Sequence, residues 1–199
     1  MNPFYRDNPS MQPSPADPKR RPVPKRNPFL GVAALCAIAG AAYFIMSPEK
    51  PLVLAPNAMA SVTPADSFRR VAGSGARPMH IFISVDCAFC RQIEPELERL
   101  KDVTVHYHLL PGHSASARAD ALNVWCASDQ VKAWSAAARG DIVAAPACDG
   151  LALDRNHALA VKLGIERTPS MIFADGKVLA GAASSEVIER ELARSEKGK

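Results

Sequence analysis

A pair of cysteines separated by two residues is the feature that most constrains the fold of this 199-residue chain. Cys87 and Cys90 follow an alternating run, 79–86, that predicts a half-buried strand, and they precede a helical pattern over 91–100. At a helix start, unpaired amide groups and the positive end of the helix dipole stabilise an anionic sulfur. The position therefore predicts dithiol redox chemistry, with Cys87 as nucleophile and Cys90, one turn later, resolving the mixed disulfide.

A second motif lies far downstream, where Thr168 and Pro169 open an apolar run that ends at Phe173. Proline cannot donate to a sheet ladder, so Pro169 belongs at the first residue of a strand. Asp-Gly at 175–176, between this run and the next apolar run, predicts a β-hairpin. The spacing of the two cysteines alone would be weak evidence for redox chemistry, because the same spacing also supplies half of a zinc site.

Three further sequence motifs lie between the cysteine pair and the Thr-Pro motif. They are Val-Trp-Cys-Ala-Ser-Asp at 124–129, Ala-Pro-Ala-Cys-Asp at 145–149 and Ala-Leu-Ala-Val-Lys-Leu-Gly-Ile at 158–165. A CxxC helix followed by a late Thr-Pro before a hairpin resembles the thioredoxin fold. With these segments, residues 77–194 resemble the catalytic domain of the DsbC/DsbG periplasmic disulfide isomerases.

The resemblance implies an α/β, thioredoxin-like domain over 77–195 with a helical insertion at about 112–163. It implies that Pro169 is cis and lies against the active-site sulfurs, so that Thr168 and Pro169 bind an extended substrate segment through main-chain hydrogen bonds. It implies no cofactor. Periodicity and caps predict a strand at 103–110, helices at 114–126, 129–139 and 154–163, and a last helix from Ser184 or Ser185 to about Arg194.

Cys126 and Cys148 have 21 residues between them. In an oxidising compartment such a pair predicts a structural disulfide, and the resemblance implies the same pairing. Two reduced thiols in the core are the first alternative. A zinc site that combines them with Cys87 and Cys90 is a weaker one, because the second pair lacks the close spacing of a zinc knuckle.

Asp86 departs from the neutral residue that the family usually carries before its nucleophile. A carboxylate at this position opposes formation of the Cys87 thiolate and predicts a less oxidising site. Arg91 and Arg167 are the candidates to offset that charge. Ala-Phe at 88–89 also replaces the common Gly-Tyr of the family, so family redox potentials do not carry over.

The five histidines do not predict a metal site. His106 and His108 share one face of a strand, two residues apart, and a half-buried or solvated face is the better interpretation because no further ligands can be identified. His80, His113 and His157 look isolated. Trp125 and Trp134 occupy helical positions and are predicted to pack the insertion.

The N-terminal region differs from the rest in charge and composition. Residues 1–28 are crowded with proline and hold six basic and two acidic residues, which predicts a disordered tail. The tail accounts for the whole formal charge of +4, so the remainder is balanced and a nucleic-acid partner is not indicated.

An uncharged 18-residue run at 29–46 predicts a single transmembrane helix. As a helix it would measure about 27 Å, close to the hydrocarbon thickness of a bilayer. Basic residues before it place the tail in the cytoplasm and the following domain in the periplasm. Residues 47–76 are predicted as a linker with a short helix around 66–71. A cleaved signal peptide ending near Ala-Met-Ala at 58–60 is the alternative.

Together these features predict a thiol-disulfide oxidoreductase tethered to the bacterial inner membrane, which reduces or isomerises disulfides in exported cysteine-containing proteins. The resemblance implies a DsbD-type transmembrane thiol reductase as its electron source. A dithiol oxidase is one alternative. Another is a thioredoxin-like assembly or binding component of an envelope secretion or conjugation machine, which the proline-rich tail and single anchor would also fit.

Overall fold

The computed structural model describes residues 52–197. Five strands are present in this range: β1 Phe68–Ala72, β2 Arg77–Ile83, β3 Val103–Leu109, β4 Ser170–Ile172 and β5 Val178–Ala180. The helices are α1 Pro56–Met59, α2 Ala88–Glu98, α3 Ala115–Trp125, α4 Gln130–Arg139, α5 Leu151–Lys162 and α6 Ser185–Glu196, with a 3-10 turn at Pro64–Asp66. The strands form one mixed sheet in the order β1-β3-β2-β4-β5.

The centre of the sheet is a strand-helix-strand unit. β2 and β3 pair in parallel, with Ile81 opposite Tyr107, and α2 forms the crossover between them. β4 pairs antiparallel with the other edge of β2 and continues into the β4–β5 hairpin through the turn at 175–176. The predicted parallel pair and hairpin are therefore confirmed, and the chain has the predicted mixed α/β architecture.

Alternation along β2 divides the core into two layers. Met79, Ile81 and Ile83 lie on one face of the sheet, in a cluster to which α2, α3, α4 and α6 contribute. Phe82 lies on the opposite face, called here the second face, with Leu54, Leu163, Ile172 and Val178 among its neighbours. Each such buried aliphatic or aromatic side chain contributes about 1.5–3 kcal/mol.

The segment predicted as a linker belongs in part to the domain. The expected helix around 66–71 is wrong, because these residues include β1, which pairs antiparallel with β3. Phe68 is buried and its ring stacks on Tyr107 with centroids 5.0 Å apart. Further upstream, the Leu54 amide donates to the Gly176 carbonyl at 2.8 Å. Folded structure therefore begins well before residue 77.

The helical insertion has the predicted helices. Ser114 and Asp129 cap α3 and α4 through their side chains, which accept from the amides three residues on. Trp134 is buried in the main core and Trp125 is half-buried, so both pack as expected. Residues 141–150 contain no helix or strand, and they connect α4 to α5.

The predicted tail at 1–28 and the predicted span at 29–46 lie outside the described residues. Within 52–197, no helix has the length and apolar character needed to cross a membrane.

Candidate active site

The end of β2 turns directly into the cysteine pair. The amide of Cys87 donates to the carbonyl of Ser84 at 3.3 Å, which closes a turn over residues 84–87. Cys87 is extended, with φ −89° and ψ 110°, and occupies the N-cap of α2. Its Sγ accepts from the amide of Cys90 at 3.2 Å. The sulfur therefore takes the place of a capping oxygen, where the helix dipole and the Cys90 amide stabilise negative charge.

The two thiols have different environments. Cys87 and Cys90 are both free, Cys87 half-buried and Cys90 fully buried. Burial raises the pKa of Cys90, and its hydrogen bond with Cys87 raises it further. Cys90 therefore remains a neutral thiol at pH 7, and Cys87 carries the sulfur that a large disulfide substrate can reach.

The Thr-Pro loop lies beside this sulfur although it is 81 residues away in the chain. The Thr168–Pro169 peptide bond is cis, and Pro169 is buried immediately before β4. The thiol of Cys87 donates to the Thr168 carbonyl at 3.2 Å. The Ser170 hydroxyl donates to the Arg167 carbonyl at 2.8 Å and fastens the loop. A backbone edge is thus held next to the accessible sulfur.

Asp86 receives hydrogen bonds from two directions. The Ser84 hydroxyl donates to its Oδ1, while the amide of His113 (2.9 Å) and the ring Nδ1 of His113 (3.1 Å) donate to Oδ2. Partial burial opposes ionisation, yet these hydrogen bonds outweigh it and hold the pKa of Asp86 below its ordinary value. The prediction that His113 is isolated is therefore wrong. No sequence signal marks this pair, because 27 residues separate its members.

Of the two arginines predicted to offset Asp86, Arg91 lies five residues later in the chain and contacts the backbone before the nucleophile. Arg91 donates to the Val85 carbonyl at 3.2 Å and so fastens the turn before the nucleophile. Arg167 is exposed at the start of the Thr-Pro loop. Ser84 and His113 donate hydrogen bonds to Asp86, and the electrostatic influence of either arginine on Cys87 stays a prediction.

The second cysteine pair is joined. Cys126, at the C-terminal end of α3, and Cys148 form a disulfide with their Cα atoms 5.7 Å apart. The disulfide excludes the alternative of two reduced thiols. It also excludes the four-cysteine zinc site, because two of the four ligands are bonded to each other. Among residues 52–197 no cluster of three or more histidine, cysteine or acidic side chains could hold a metal ion.

Three histidines adjoin on the second face, and His80 is not isolated as predicted. His80 Nδ1 lies 2.9 Å from His108 Nε2, and the His80 ring stacks on His106 with centroids 4.9 Å apart. His108 is buried and its other ring nitrogen contacts Asn156, while His106 is half-buried. The expectation of a half-buried or solvated face holds for His106, whereas His108 is fully buried, and the expectation did not include the His80 ring.

The fold and the cysteine motif agree with the comparison to known proteins. The profile of the thioredoxin-like domain family matches residues 64–195, more than half of the chain. This chain belongs to the thioredoxin-like domain family. The match begins before β1, in agreement with the early start of the folded region.

Two similar proteins of known name are disulfide interchange proteins. The "probable thiol:disulfide interchange protein DsbC" of Bordetella pertussis is 31% identical over 125 residues, 62% of this chain and 44% of the relative. The thiol:disulfide interchange protein DsbC of Salmonella typhimurium is 31% identical over 105 residues, 51% of this chain and 44% of the relative. The chain therefore spans less than half the length of these relatives. The DsbC resemblance predicted from the motifs is confirmed.

A solved structure extends the likeness to three dimensions. The disulfide interchange protein from Neisseria gonorrhoeae superposes with a TM-score of 0.62 at 26% identity, covering 68% of this chain and 99% of that structure.

Proposed function

We propose that this protein is a membrane-tethered periplasmic thiol-disulfide oxidoreductase that reduces or isomerises disulfides in exported cysteine-containing proteins. The observation that carries the proposal is the Cys87 sulfur: it caps α2, it is reachable, and it faces the Thr168 carbonyl, with the buried Cys90 thiol one turn behind. Similarity to disulfide interchange proteins supports the reaction class.

The chemistry proceeds by two displacements at sulfur. The Cys87 thiolate attacks one sulfur of a substrate disulfide, forming a mixed disulfide and releasing one substrate thiolate, which takes a proton. Cys90 then loses its proton and attacks the Cys87 sulfur. The Cys87–Cys90 disulfide forms, the second substrate thiolate leaves, and two electrons have passed to the substrate. If a substrate thiolate attacks the mixed disulfide first, the outcome is isomerisation and both active-site cysteines stay reduced.

The asymmetry between the thiols supports this order of events. Cys87 is accessible, and its sulfur accepts a hydrogen bond from the Cys90 amide, which stabilises the attacking thiolate. The raised pKa of Cys90 keeps that thiol protonated while Cys87 attacks, and it delays release of the substrate from the mixed disulfide. The Cys90 proton must then be removed before the resolving step can occur.

Substrate binding is assigned to backbone and apolar contacts. Thr168 and Pro169 present a main-chain edge beside Cys87, and main-chain hydrogen bonds do not read sequence. Phe89, between the two cysteines, has 58% of its surface exposed and supplies an apolar contact. A site of this kind accepts varied unfolded segments rather than one sequence.

Location and electron supply complete the proposal. The apolar run at 29–46 anchors the chain, with the basic tail at 1–28 on the cytoplasmic side. Reduced Cys87 and Cys90 are regenerated by a DsbD-type transmembrane thiol reductase, which supplies the two electrons that each reductive cycle consumes.

Insulin reduction by the purified chain tests the chemistry. Cys87→Ser should abolish reduction and Cys90→Ser should accumulate a mixed disulfide at Cys87, because the resolving thiol is missing. Cys36→Ser, in the predicted anchor, is the matched control and should keep full activity. Reductase activity retained in Cys87→Ser would refute the assignment of Cys87 as the nucleophile.

Thiol trapping in cells tests the direction of electron flow. A reductase or isomerase holds Cys87 and Cys90 mostly reduced at steady state. A pair found almost wholly oxidised would replace the proposal with a dithiol oxidase.

A further inference from the structure

The carboxylate beside the nucleophile is held by a neighbouring loop. Asp86 lies one residue before Cys87, within the turn that places the cysteine at the N-cap of α2. Both of its oxygens are engaged, Oδ1 by the Ser84 hydroxyl and Oδ2 by two donors of His113. His113 thus provides two hydrogen bonds that reach Asp86 from outside its own turn.

The backbone places His113 for this contact. It follows Gly112, which has φ +79°, in the connection from β3 to α3. A Cβ at Gly112 would come within 2.5 Å of the Ala117 Cβ, so the connection packs closely against the first turn of α3. The His113 ring extends outward, with 86% of its side chain exposed, and a carboxylate can only accept, so Nδ1 carries the donated proton.

The electrostatic consequence falls on Cys87. Two negative charges on adjacent residues disfavour each other, so an uncompensated Asp86 would oppose the Cys87 thiolate. The His113 amide and ring direct partial positive charge at Oδ2, and a protonated ring adds a full charge. Both effects reduce the negative potential that Asp86 exerts at the sulfur. Removing the ring leaves the His113 amide as the donor to Oδ2.

We propose that His113 is a positioning residue for thiol-disulfide exchange: acting through Asp86, it compensates the carboxylate beside Cys87 and so favours the thiolate and the reduced state of the pair. The inference rests on the proposed redox roles of Cys87 and Cys90. It identifies this loop as the element that sets the redox poise of the site.

Two measurements on the purified full chain test the proposal. The first is the pH profile of Cys87 alkylation, followed by mass spectrometry of the peptide that contains Cys87. The second is the redox equilibrium with glutathione. The variants are His113→Ala, Asp86→Asn and their combination. His157→Ala, an exposed histidine on α5, is the matched control.

His113→Ala should move the alkylation midpoint to higher pH and make the pair less oxidising. The equilibrium constant with glutathione should change by about two- to fivefold, the range of a partly exposed ion pair. Asp86→Asn should move both quantities the opposite way, because the charge is gone. In the Asp86→Asn background, His113→Ala should have no further effect, and His157→Ala should match the parent throughout.

A second substitution separates hydrogen bonding from loop structure. His113→Asn places an amide donor near the position of Nδ1 and should restore part of the shift, whereas His113→Phe should behave like His113→Ala. An unchanged profile in His113→Ala overturns the proposal, as does a shift that persists undiminished in the Asp86→Asn background. Either result leaves the function intact if Cys87→Ser abolishes insulin reduction. If Cys87→Ser keeps that activity, the proposed function itself fails.

Discussion

The histidines on the second face of the sheet predict that mild acid destabilises the domain. His108 is buried, and its Nδ1 lies 3.1 Å from Oδ1 of Asn156, whose amide nitrogen donates to the carbonyls of Asp66 (2.8 Å) and Leu109 (3.1 Å). That orientation leaves the Asn156 oxygen as acceptor, so His108 carries its proton on Nδ1 and accepts at Nε2 from the Nδ1–H of His80. The network is satisfied with both rings neutral.

The magnitude follows from proton linkage. Burial lowers the pKa of His80 to about 3, with repulsion from His108 adding to the effect, and burial lowers the pKa of His108 to about 4. The ordinary histidine value is near 6.5. Above about pH 6.5 both histidines are neutral in the folded and in the unfolded chain, so the free energy of unfolding is at its full value. As pH falls below it, only the unfolded state takes up the two protons.

Each proton costs about 1.4 kcal/mol per pH unit, so the pair should lose about 4 kcal/mol of unfolding free energy between pH 7 and pH 5. Burial also lowers the pKa of His106, which adds in the same direction. Ordinary carboxylates titrate below this window, so they contribute little to the slope.

Urea unfolding at half-unit intervals from pH 5 to pH 7.5 measures this slope. His80→Gln should roughly halve it below pH 6.5, because one of the two protons is removed from the linkage, whatever the substitution does to stability at pH 7.5. His157→Gln, exposed on α5, should keep the full slope. A free energy of unfolding that stays flat from pH 6.5 to pH 5 would refute the reasoning, and so would an unchanged slope in His80→Gln.

Two further predictions concern stability at neutral pH. Glu94, on α2, is buried and accepts from Arg70 and from the buried Trp134 indole, so Glu94→Ala breaks a largely buried ion pair and should cost about 3–5 kcal/mol; Glu98→Ala, whose more exposed carboxylate lies 3.8 Å from the same guanidinium, is the comparison and should change urea stability by less than about 0.5 kcal/mol. Opening the Cys126–Cys148 disulfide by paired serine substitution should cost about 3 kcal/mol, from the loop-closure entropy of a separation of 22 residues. Thermal unfolding checks this, and an unchanged midpoint would mean that the 141–150 segment is held by other contacts.

The elements that the sequence predicts well are those encoded by local chemistry. The strand-to-helix junction at Cys87 is marked by alternation on one side and helical periodicity on the other. Ser114 and Asp129 mark the starts of α3 and α4 in the sequence, because a capping side chain accepts from a backbone amide within three residues. The hairpin after Pro169 is marked by Asp-Gly. In each case the deciding interactions lie within a few residues of the signal.

The errors have the opposite origin. The sequence predicts a linker and a helix where β1 lies, because Phe68–Ala72 is only five residues long and contains two adjacent arginines, so its alternation is weak. What makes it a strand is pairing with β3, some 30 residues later, and the stacking of Phe68 on Tyr107. A short edge strand gains most of its stability from such partners rather than from its own propensity.

Asp86 shows why the same limit applies to the chemistry of the site. Its proximity to Cys87 can be read from the sequence, and the sign of its intrinsic effect on a thiolate follows from charge alone. The net effect depends on His113, whose amide reaches Oδ2 only because β3 pairs in register with β2 and the turn at Gly112 directs the chain back over the active-site end of the sheet. A nucleophile can therefore be recognised from its motif, whereas its reactivity is set by groups that only the tertiary fold brings within hydrogen-bond distance.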